Sequence, residues 1–188
     1  MYYVLYVGTN NENKAEQLIR SLVPEDLYTA CFHPVNHFRK KIRGKWMDCY
    51  KKMIPGYVFL RTDNIDKIYQ ILLSKKVFHN FLSDRDLSEG KVFQYLDTKE
   101  QKWLEFFLPK ELKESTGESI VELSQVGFDV NDEAVITGGP LVNISGLVKK
   151  INLHKRTATV EISFMGRATE IEFGIELVEK KESSVNDV

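Results

Sequence analysis

The clearest pattern in the chain is a strict alternation of apolar and polar residues near its carboxyl end. From Ala158 to Phe164 every second residue is apolar, and after a turn at Gly166 the alternation returns through Ile171 and Phe173. Successive side chains of a strand point to opposite faces, so each run predicts a strand with one buried face and one wet face. The sequence therefore predicts two consecutive strands that pack on one core.

Glycine and proline predict further short strands upstream of this pair. A strand should end at Gly139-Pro140, because proline fixes φ and glycine accepts backbone angles closed to other residues. Gly146 opens another short strand, Leu147-Val148, which ends at a basic loop that starts with Lys149-Lys150. Several strands within about fifty residues predict a small β-barrel, which closes its own edges and leaves its loops to carry function.

Strand patterns alternate with helical patterns in the first half of the chain. The predicted elements are an apolar strand from Tyr2 to Gly8, a helix from Glu12 to Pro24 capped by Asn10 or Asn11, a strand within residues 28–38, a strand from Tyr57 to Leu60, a helix after Asp63 or Asn64, a strand with a turn over residues 76–84, and a helix between Thr98 and Pro109. The last helix follows from the capping-box spacing of Thr98 and Gln101. Pro34 should split the second strand or confine it to an edge. This mixture predicts an α+β domain, with helices against a largely antiparallel sheet.

A strongly basic segment lies between these strands. Residues 39–52 hold seven lysines and arginines against Asp48 alone, with Gly44 in the middle, which predicts a hairpin with a cationic tip. One interpretation is a solvated loop that charge keeps soluble. The other is contact with a nucleic-acid backbone, where each neutralised phosphate releases counterions. The candidate residues for that contact are Arg39, Lys40, Lys41, Arg43 and Lys45.

A second group of potential cations is bunched in the predicted barrel. Its members are Lys149, Lys150, His154, Lys155 and Arg156. The segment 126–181 holds seven basic and eight acidic residues, so its overall balance is nearly neutral. Bunching within a neutral segment favours an anionic partner, although a solvated charge cluster remains the alternative interpretation.

Length and composition restrict the class of protein. A chain of 188 residues with 43% hydrophobic content can form one medium domain or two small ones. The net charge is −1, so recognition of a partner must come from local patches. There are two cysteines, Cys31 and Cys49, and no signal-peptide pattern or long apolar run. We therefore expect a cytoplasmic protein without a disulfide or a membrane span.

Patterns for catalysis or metal binding are weak. The residues Cys31, His33, His37 and Cys49 match no common zinc-finger spacing. The turn at Gly138-Gly139-Pro140 lacks the lysine and the helix of a phosphate-binding loop. We expect a binding protein that is not an enzyme and needs no cofactor or metal.

The sequence turns polar after the last predicted helix, which suggests two domains. We expect a first domain over residues 1–108, a flexible linker over 109–125, a barrel over 126–181 and a disordered tail over 182–188. A flexible linker of this length spans about 20 to 25 Å, so the domains could engage separate sites on one large complex.

Two sets of motifs resemble the NusG family of transcription elongation factors. The barrel carries the Gly139-Pro140 turn, Gly146 after it, and the segment FMGRATEIEF followed by ELVEK, similar to a KOW domain. The first domain opens with Tyr2-Tyr3-Val4 and carries Pro55-Gly56-Tyr57-Val58, similar to the NGN domain of the family. The resemblance implies an NGN-like α+β domain followed by a small all-β, SH3-like KOW barrel.

The resemblance also implies a partner for the first domain. In this family the domain lays a concave apolar surface on the clamp helices of the largest RNA polymerase subunit. The matching residues are Tyr2, Tyr6, Ile54, Pro55 and Tyr57. Tyrosine suits such a contact because it buries area while its hydroxyl stays wet. Met53-Ile54 stand where the family often has two phenylalanines, and Tyr2 where it often has tryptophan, so individual contacts would differ.

The short amino terminus and the two basic segments are similar to the specialised LoaP-type antiterminators of the family. This similarity implies a factor, which we expect to be a monomer, that makes polymerase read through terminators. Its barrel would hold a structured leader RNA through Lys149, Lys150, His154, Lys155, Arg156 and Arg167, and non-template DNA is a further candidate partner. One alternative is a general elongation factor that couples transcription to Rho or the ribosome, although Met165 replaces a phenylalanine common at that contact. Another is a ribosome-associated RNA-binding protein.

Overall fold

A mixed α+β domain forms the first half of the computed structural model, which describes residues 1–80, 93–108 and 119–178. Its elements are β1 (Tyr2–Tyr6), α1 (Glu12–Leu22), β2 (Ala30–Phe32), β3 (Val35–Ile42), β4 (Lys45–Lys52), β5 (Tyr57–Arg61), α2 (Ile65–Ser74), β6 (Phe93–Tyr95) and α3 (Thr98–Phe107). The strands β2-β5-β1-β6 form an antiparallel sheet in that order. The strands β3 and β4 form a separate hairpin, whose first strand also pairs with the short β7 (Ile120–Val121).

The four-stranded sheet has two different apolar faces. On one face Leu5 and Val58 pack with Ile19 of α1 and Ile68 of α2 in a closed core. The other face is directed away from these helices, because side chains alternate along β1 and β5. The pairing sets Val4 opposite Phe59, Tyr6 opposite Tyr57 and Tyr2 opposite Arg61 on this second face.

A small all-β domain follows, as the sequence predicts. Its strands are β8 (Ser124–Phe128), β9 (Ala134–Gly138), β10 (Val148–Asn152), β11 (Thr157–Phe164) and β12 (Arg167–Leu177), in the order β10-β11-β12-β8-β9. The apolar residues of β11 are all buried, which confirms the predicted alternation. Met165 and Gly166 both have positive φ and make the tight turn into β12. We call this domain the barrel.

Several local predictions are confirmed. The helix α1 starts at Glu12 and ends before Pro24, and a turn at Arg43 and Gly44, both at positive φ, closes the basic hairpin. Pro34 separates β2 and β3, which belong to different sheets. Among the described residues no helix combines the length and apolarity needed to cross a membrane.

Two predictions about secondary structure in the first domain are wrong. Residues Val77–Asn80 form a 3₁₀ turn instead of a strand, and both Val77 and Phe78 are buried in the core. A strand would send successive side chains to opposite faces, whereas both of these enter one core. The cap of α3 is Asp97, which accepts from the backbone of Glu100 while the Glu100 side chain accepts from Asp97. A capping box is present, one residue earlier than predicted.

The structure also differs from the prediction where the second domain begins. The sequence predicts a flexible linker over residues 109–125, but residues 119–125 include β7 and the first residues of β8. The reason is backbone pairing, because Ile120 and Val121 lie beside Val35 and Asn36 of β3. The rest of the predicted linker, residues 109–118, and the predicted tail lie outside the described residues, as do residues 81–92.

Candidate functional site: an aromatic sheet face and two basic clusters

Four of the five residues predicted to meet polymerase lie at or beside the turn at Pro55-Gly56, whereas Tyr2 lies at the other end of β1, opposite Arg61. Tyr6 and Tyr57 pack side by side, with ring centroids 5.2 Å apart. Tyr6 is 52% exposed and Pro55 is also exposed, whereas Tyr57 is half-buried. Tyr2 and Ile54 are only 5% and 6% exposed. The expectation of an open apolar hollow at these residues is not met in this arrangement.

The barrel of the same chain packs on the face of the four-stranded sheet that carries Tyr57. Phe164 places its ring 5.1 Å from that of Tyr57 and 6.2 Å from that of Trp103 on α3. The indole of Trp103 donates a hydrogen bond of 2.9 Å to the carbonyl of Ser163. Residues of the sheet, α3 and the barrel therefore belong to one continuous apolar core. Tyr57 is covered by the second domain, while its own domain leaves it at the surface of the sheet.

One buried carboxylate, that of Glu12, accepts a hydrogen bond from the backbone of the Pro55-Gly56 turn. Glu12, in the first turn of α1, is completely buried and accepts a hydrogen bond of 2.6 Å from the Gly56 backbone nitrogen. Its second oxygen forms an ion pair with Lys52. Burial alone would raise the pKa of Glu12, but the hydrogen bonds from Lys52 and Gly56 outweigh it and lower that pKa. A charged carboxylate thus fixes the turn that presents Tyr57.

The basic hairpin is also in contact with the barrel. The side-chain amide of Asn36 donates a hydrogen bond of 2.7 Å to the backbone oxygen of Glu172, and the Lys51 ammonium lies 3.7 Å from the Glu172 carboxylate. Gly174 allows this approach, because an added Cβ would overlap the carbonyl oxygen of His37 and lie 3.0 Å from the Cα of Phe38. The hairpin and β12 can pack this closely only with glycine at that position.

One histidine links the hairpin to the segment that leads into the barrel. The ring nitrogens of His37 lie 2.8 Å from a Glu122 oxygen and 2.9 Å from an Asp48 oxygen. Burial alone would lower the pKa of His37, but Glu122 and Asp48 together raise it. The His37 ring therefore bridges β3, β4 and the segment that leads into the barrel.

Five of the six residues predicted to hold RNA lie on β10 and on the turn that joins it to β11, from Lys149 beside Glu161 to Arg156 just before β11. The β-bulge at Lys149 lets two successive lysines face solvent within β10, so they belong to a strand and not to the predicted loop. His154 and Lys155 are exposed in the turn that follows. We call Lys149, Lys150, His154, Lys155 and Arg156 the barrel cations.

Arg167 does not join this group. It starts β12 beside Phe164, at the opposite end of β11 from Arg156. Seven residue steps along a strand separate the two ends by about 23 Å, so one short RNA contact cannot include both. Arg167 lies instead near Tyr57, where burial raises the pKa of the tyrosine hydroxyl and the charge of Arg167 only partly offsets that rise.

The predicted cations of the hairpin are exposed at its end, and an aromatic side chain that the prediction omitted lies among them. We call residues 39–47 the hairpin tip. Trp46 is 40% exposed, and the Arg156 guanidinium lies 5.0 Å from the centre of its ring.

Trp46 could have been identified from the sequence as an aromatic residue inside a run of cations. Gly174 also had a signal, because an isolated glycine in a strand pattern suggests close backbone approach.

The sulfur and imidazole groups weighed as a metal site do not form one. Cys31 is completely buried in the core beneath α1, and this burial raises the pKa of its thiol. Arg20 donates to the Cys31 carbonyl, while His33 bonds to Glu16 at 2.6 Å. The described parts of the chain contain no group of histidine, cysteine and carboxylate residues arranged to hold a metal ion.

Comparisons with known proteins point in one direction. Residues 1–102 match the family model described as transcription termination factor NusG. The chain is 23% identical to the transcription termination/antitermination protein NusG of Rickettsia felis, over 96% of this chain and 90% of the relative. It is 22% identical to that of Pasteurella multocida, over 95% and 94% of the two chains. It is 21% identical to that of Halalkalibacterium halodurans, over 95% and 97%.

One similar solved structure concerns domain interaction in Thermotoga maritima NusG. It has a TM-score of 0.44 and 16% sequence identity, and the match covers 92% of each chain.

Proposed function

This chain belongs to the NusG family of transcription termination and antitermination factors, and we propose that it acts as a specialised antiterminator of the LoaP type. The first domain would bind RNA polymerase through the sheet face around Tyr57, and the barrel would bind structured leader RNA. The observation that most supports this proposal is that the first domain carries an aromatic sheet face, with Tyr6 exposed beside Tyr57, while the barrel carries exposed cations. Members of this family are transcription factors and not enzymes.

Polymerase binding should depend on the exposed ring of Tyr6. Among the aromatic residues of the turn, Tyr6 is the exposed one, so Tyr6→Ala removes contact area without disturbing Phe164. We expect the affinity of the full chain for core polymerase to fall about tenfold, the usual loss when an aromatic anchor is truncated. Biolayer interferometry on immobilised polymerase measures this change. Tyr95→Ala is the control, because Tyr95 is an exposed aromatic opposite Tyr3, on the other face of the sheet. Equal losses for both variants would contradict the assignment of the sheet face.

RNA binding should depend on the barrel cations. The double variant Lys150→Ala/Lys155→Ala removes two exposed charges that pair with no carboxylate in the described part of the chain. We expect weaker binding to a leader stem-loop and a salt dependence whose logarithmic slope is smaller by about 2. Gel-shift titrations at several salt concentrations test this. Lys67→Ala/Lys75→Ala removes the same net charge on and beside α2 and should leave binding unchanged. Identical slopes for both double variants would exclude a specific role for the barrel.

Polymerase binding also requires the barrel to move. The barrel covers the sheet face through Phe164, so the clamp helices and the barrel cannot occupy it together. The fraction of molecules with a free sheet face then limits the apparent affinity for polymerase.

Transcription in vitro through a terminator, with and without the leader upstream, tests the specialised function directly.

A general elongation factor is the second candidate function. It is favoured by the relatives, which are transcription termination/antitermination proteins similar to this chain over most of their length. Terminator readthrough that requires the leader would support the specialised antiterminator, and an effect independent of the leader would support the general factor.

A further inference from the structure

We propose that the hairpin tip and the barrel cations form one surface for single-stranded RNA, which is complete only while the barrel is packed on the first domain. This inference rests on the proposed function, because it adds a second contact to the RNA that the barrel would hold. The chemistry that recognises the strand is a set of cations for phosphates together with exposed rings for bases.

The contact between Trp46 and Arg156 brings the two basic clusters together. These residues come from different domains, and the guanidinium lies 5.0 Å from the centre of the indole ring. The arrangement is anchored away from the surface, because Asn36 is almost fully buried where it bonds to Glu172, and Gly174 lies against the backbone of β3. The surface is therefore positioned by packed backbone as well as by side-chain contacts.

The positive charges of this surface favour binding of a polyanion. Arg39 pairs with Asp48 at 3.1 Å, and Lys149 pairs with Glu161 at 3.1 Å. Among residues 1–80, 93–108 and 119–178, no carboxylate pairs with the remaining lysines and arginines, which are Lys40, Lys41, Arg43, Lys45, Lys150, Lys155 and Arg156. Domain closure sets these like charges near each other, which is unfavourable until an anion lies between them. A nucleic-acid backbone supplies several phosphates at that position and releases counterions on binding.

The aromatic residues of the hairpin favour a single strand over a duplex. Trp46 and Tyr50 lie on the same face of β4, and Tyr50 is 55% exposed while its ring stacks on His37. Unpaired bases can stack on such rings, whereas the bases of a duplex are already stacked on one another. An RNA stem-loop held by the barrel cations would thus extend an unpaired flank across Arg156 onto Trp46.

This surface has a consequence for the order of binding. It exists only in the closed arrangement, whereas polymerase requires the sheet face that the barrel covers. The two ligands favour different states of the same molecule, so binding of the flank and binding of polymerase oppose each other by thermodynamic linkage. The free protein would hold the flank, and docking on polymerase would release it from Trp46 while the stem-loop stays on the barrel.

Two synthetic RNAs test the proposal on the full chain. One is a blunt stem-loop of about ten base pairs, and the other carries an added unpaired flank of about twelve nucleotides at either end, each end tried separately. For the wild-type chain we expect the flank to increase affinity about tenfold in fluorescence anisotropy. Trp46→Ala should abolish this gain and leave the blunt stem-loop unaffected, while Trp46→Phe, which keeps a ring, should retain most of it. Gly174→Val, which separates the hairpin from β12, should abolish the gain as well.

The outcomes separate this inference from the proposed function. If the flank adds nothing, or if Trp46→Ala or Gly174→Val keeps its gain, the joint surface does not exist. A DNA flank that binds as tightly as the RNA flank would overturn the choice of RNA. Failure of Lys150→Ala/Lys155→Ala to weaken binding of the blunt stem-loop would instead count against the barrel as the RNA-binding domain, whatever Trp46 does.

Discussion

Replacing Gly174 with valine should separate the barrel from the first domain and increase the affinity for polymerase about tenfold. A side chain at this position would overlap the carbonyl oxygen of His37, which is backbone and cannot rotate away. The side chain of Leu123, whose Cδ2 would lie 2.6 Å from the new Cβ, can adopt another rotamer. The barrel can therefore fold with valine, and the strain falls on its contact with the hairpin.

Separation can be observed through the environment of Trp103. This indole is 5% exposed and bonds to Ser163 of the barrel, so loss of the barrel should shift its emission to longer wavelength. The measurement is made with Trp46→Phe in both the reference chain and the variant, so that Trp103 is the single emitting tryptophan. Small-angle scattering should show a larger radius of gyration for the Gly174→Val chain.

Gly146 provides the matched control for this substitution. Among the described residues, no heavy atom outside its chain neighbours and the backbone of its own helical turn lies within 4 Å of a Cβ added at Gly146, so Gly146→Ala should change neither the emission of Trp103 nor the affinity for polymerase. If Gly174→Val folds with the emission and radius of the reference chain, the hairpin contact does not maintain the closed arrangement. If it opens without binding polymerase more tightly, the sheet face is not the polymerase site.

Local features of this fold could be predicted because short-range physics determines them. The alternation from Ala158 to Phe164 defines a strand and its buried face, and Pro34 prevents one strand from continuing where its nitrogen would have to donate. The pattern of cations around Gly44 predicts the hairpin and its charged end. Each of these features depends on residues close in sequence.

The docking of one domain on the other could not be predicted in the same way. The spacing of apolar residues such as Phe164 and Trp103 predicts that their side chains are buried. It does not predict that they pack against the other domain. The polar composition of residues 109–125 predicts a linker, whereas pairing of β7 with β3 gives part of it a fixed place. The joint position of Trp46 and Arg156 follows from this long-range packing and so appears only in the structure.

Replacing Glu12 with alanine should reduce the free energy of unfolding by about 3 kcal/mol, the cost of breaking a buried ion pair. The substitution leaves Lys52 without its partner and the Gly56 nitrogen without its acceptor. The Pro55-Gly56 turn should loosen, and polymerase binding should weaken together with stability. Urea unfolding at neutral pH measures the loss. Glu12→Gln is the control, because an amide oxygen can still accept from Gly56 and the loss should be smaller.

The same carboxylate makes the difference between the wild-type chain and Glu12→Gln depend on pH. The pKa of Glu12 in the folded chain lies below its ordinary value of 4.5, because Lys52 and Gly56 outweigh the effect of burial. The stability that its charge contributes is therefore complete above about pH 4.5 and is lost as the pH falls through the lower folded-state pKa. Unfolding free energies of the two chains should converge over this acid range, while the other carboxylates titrate equally in both. A difference that stays constant from neutral to acid pH would show that the charge of Glu12 does not stabilise the turn.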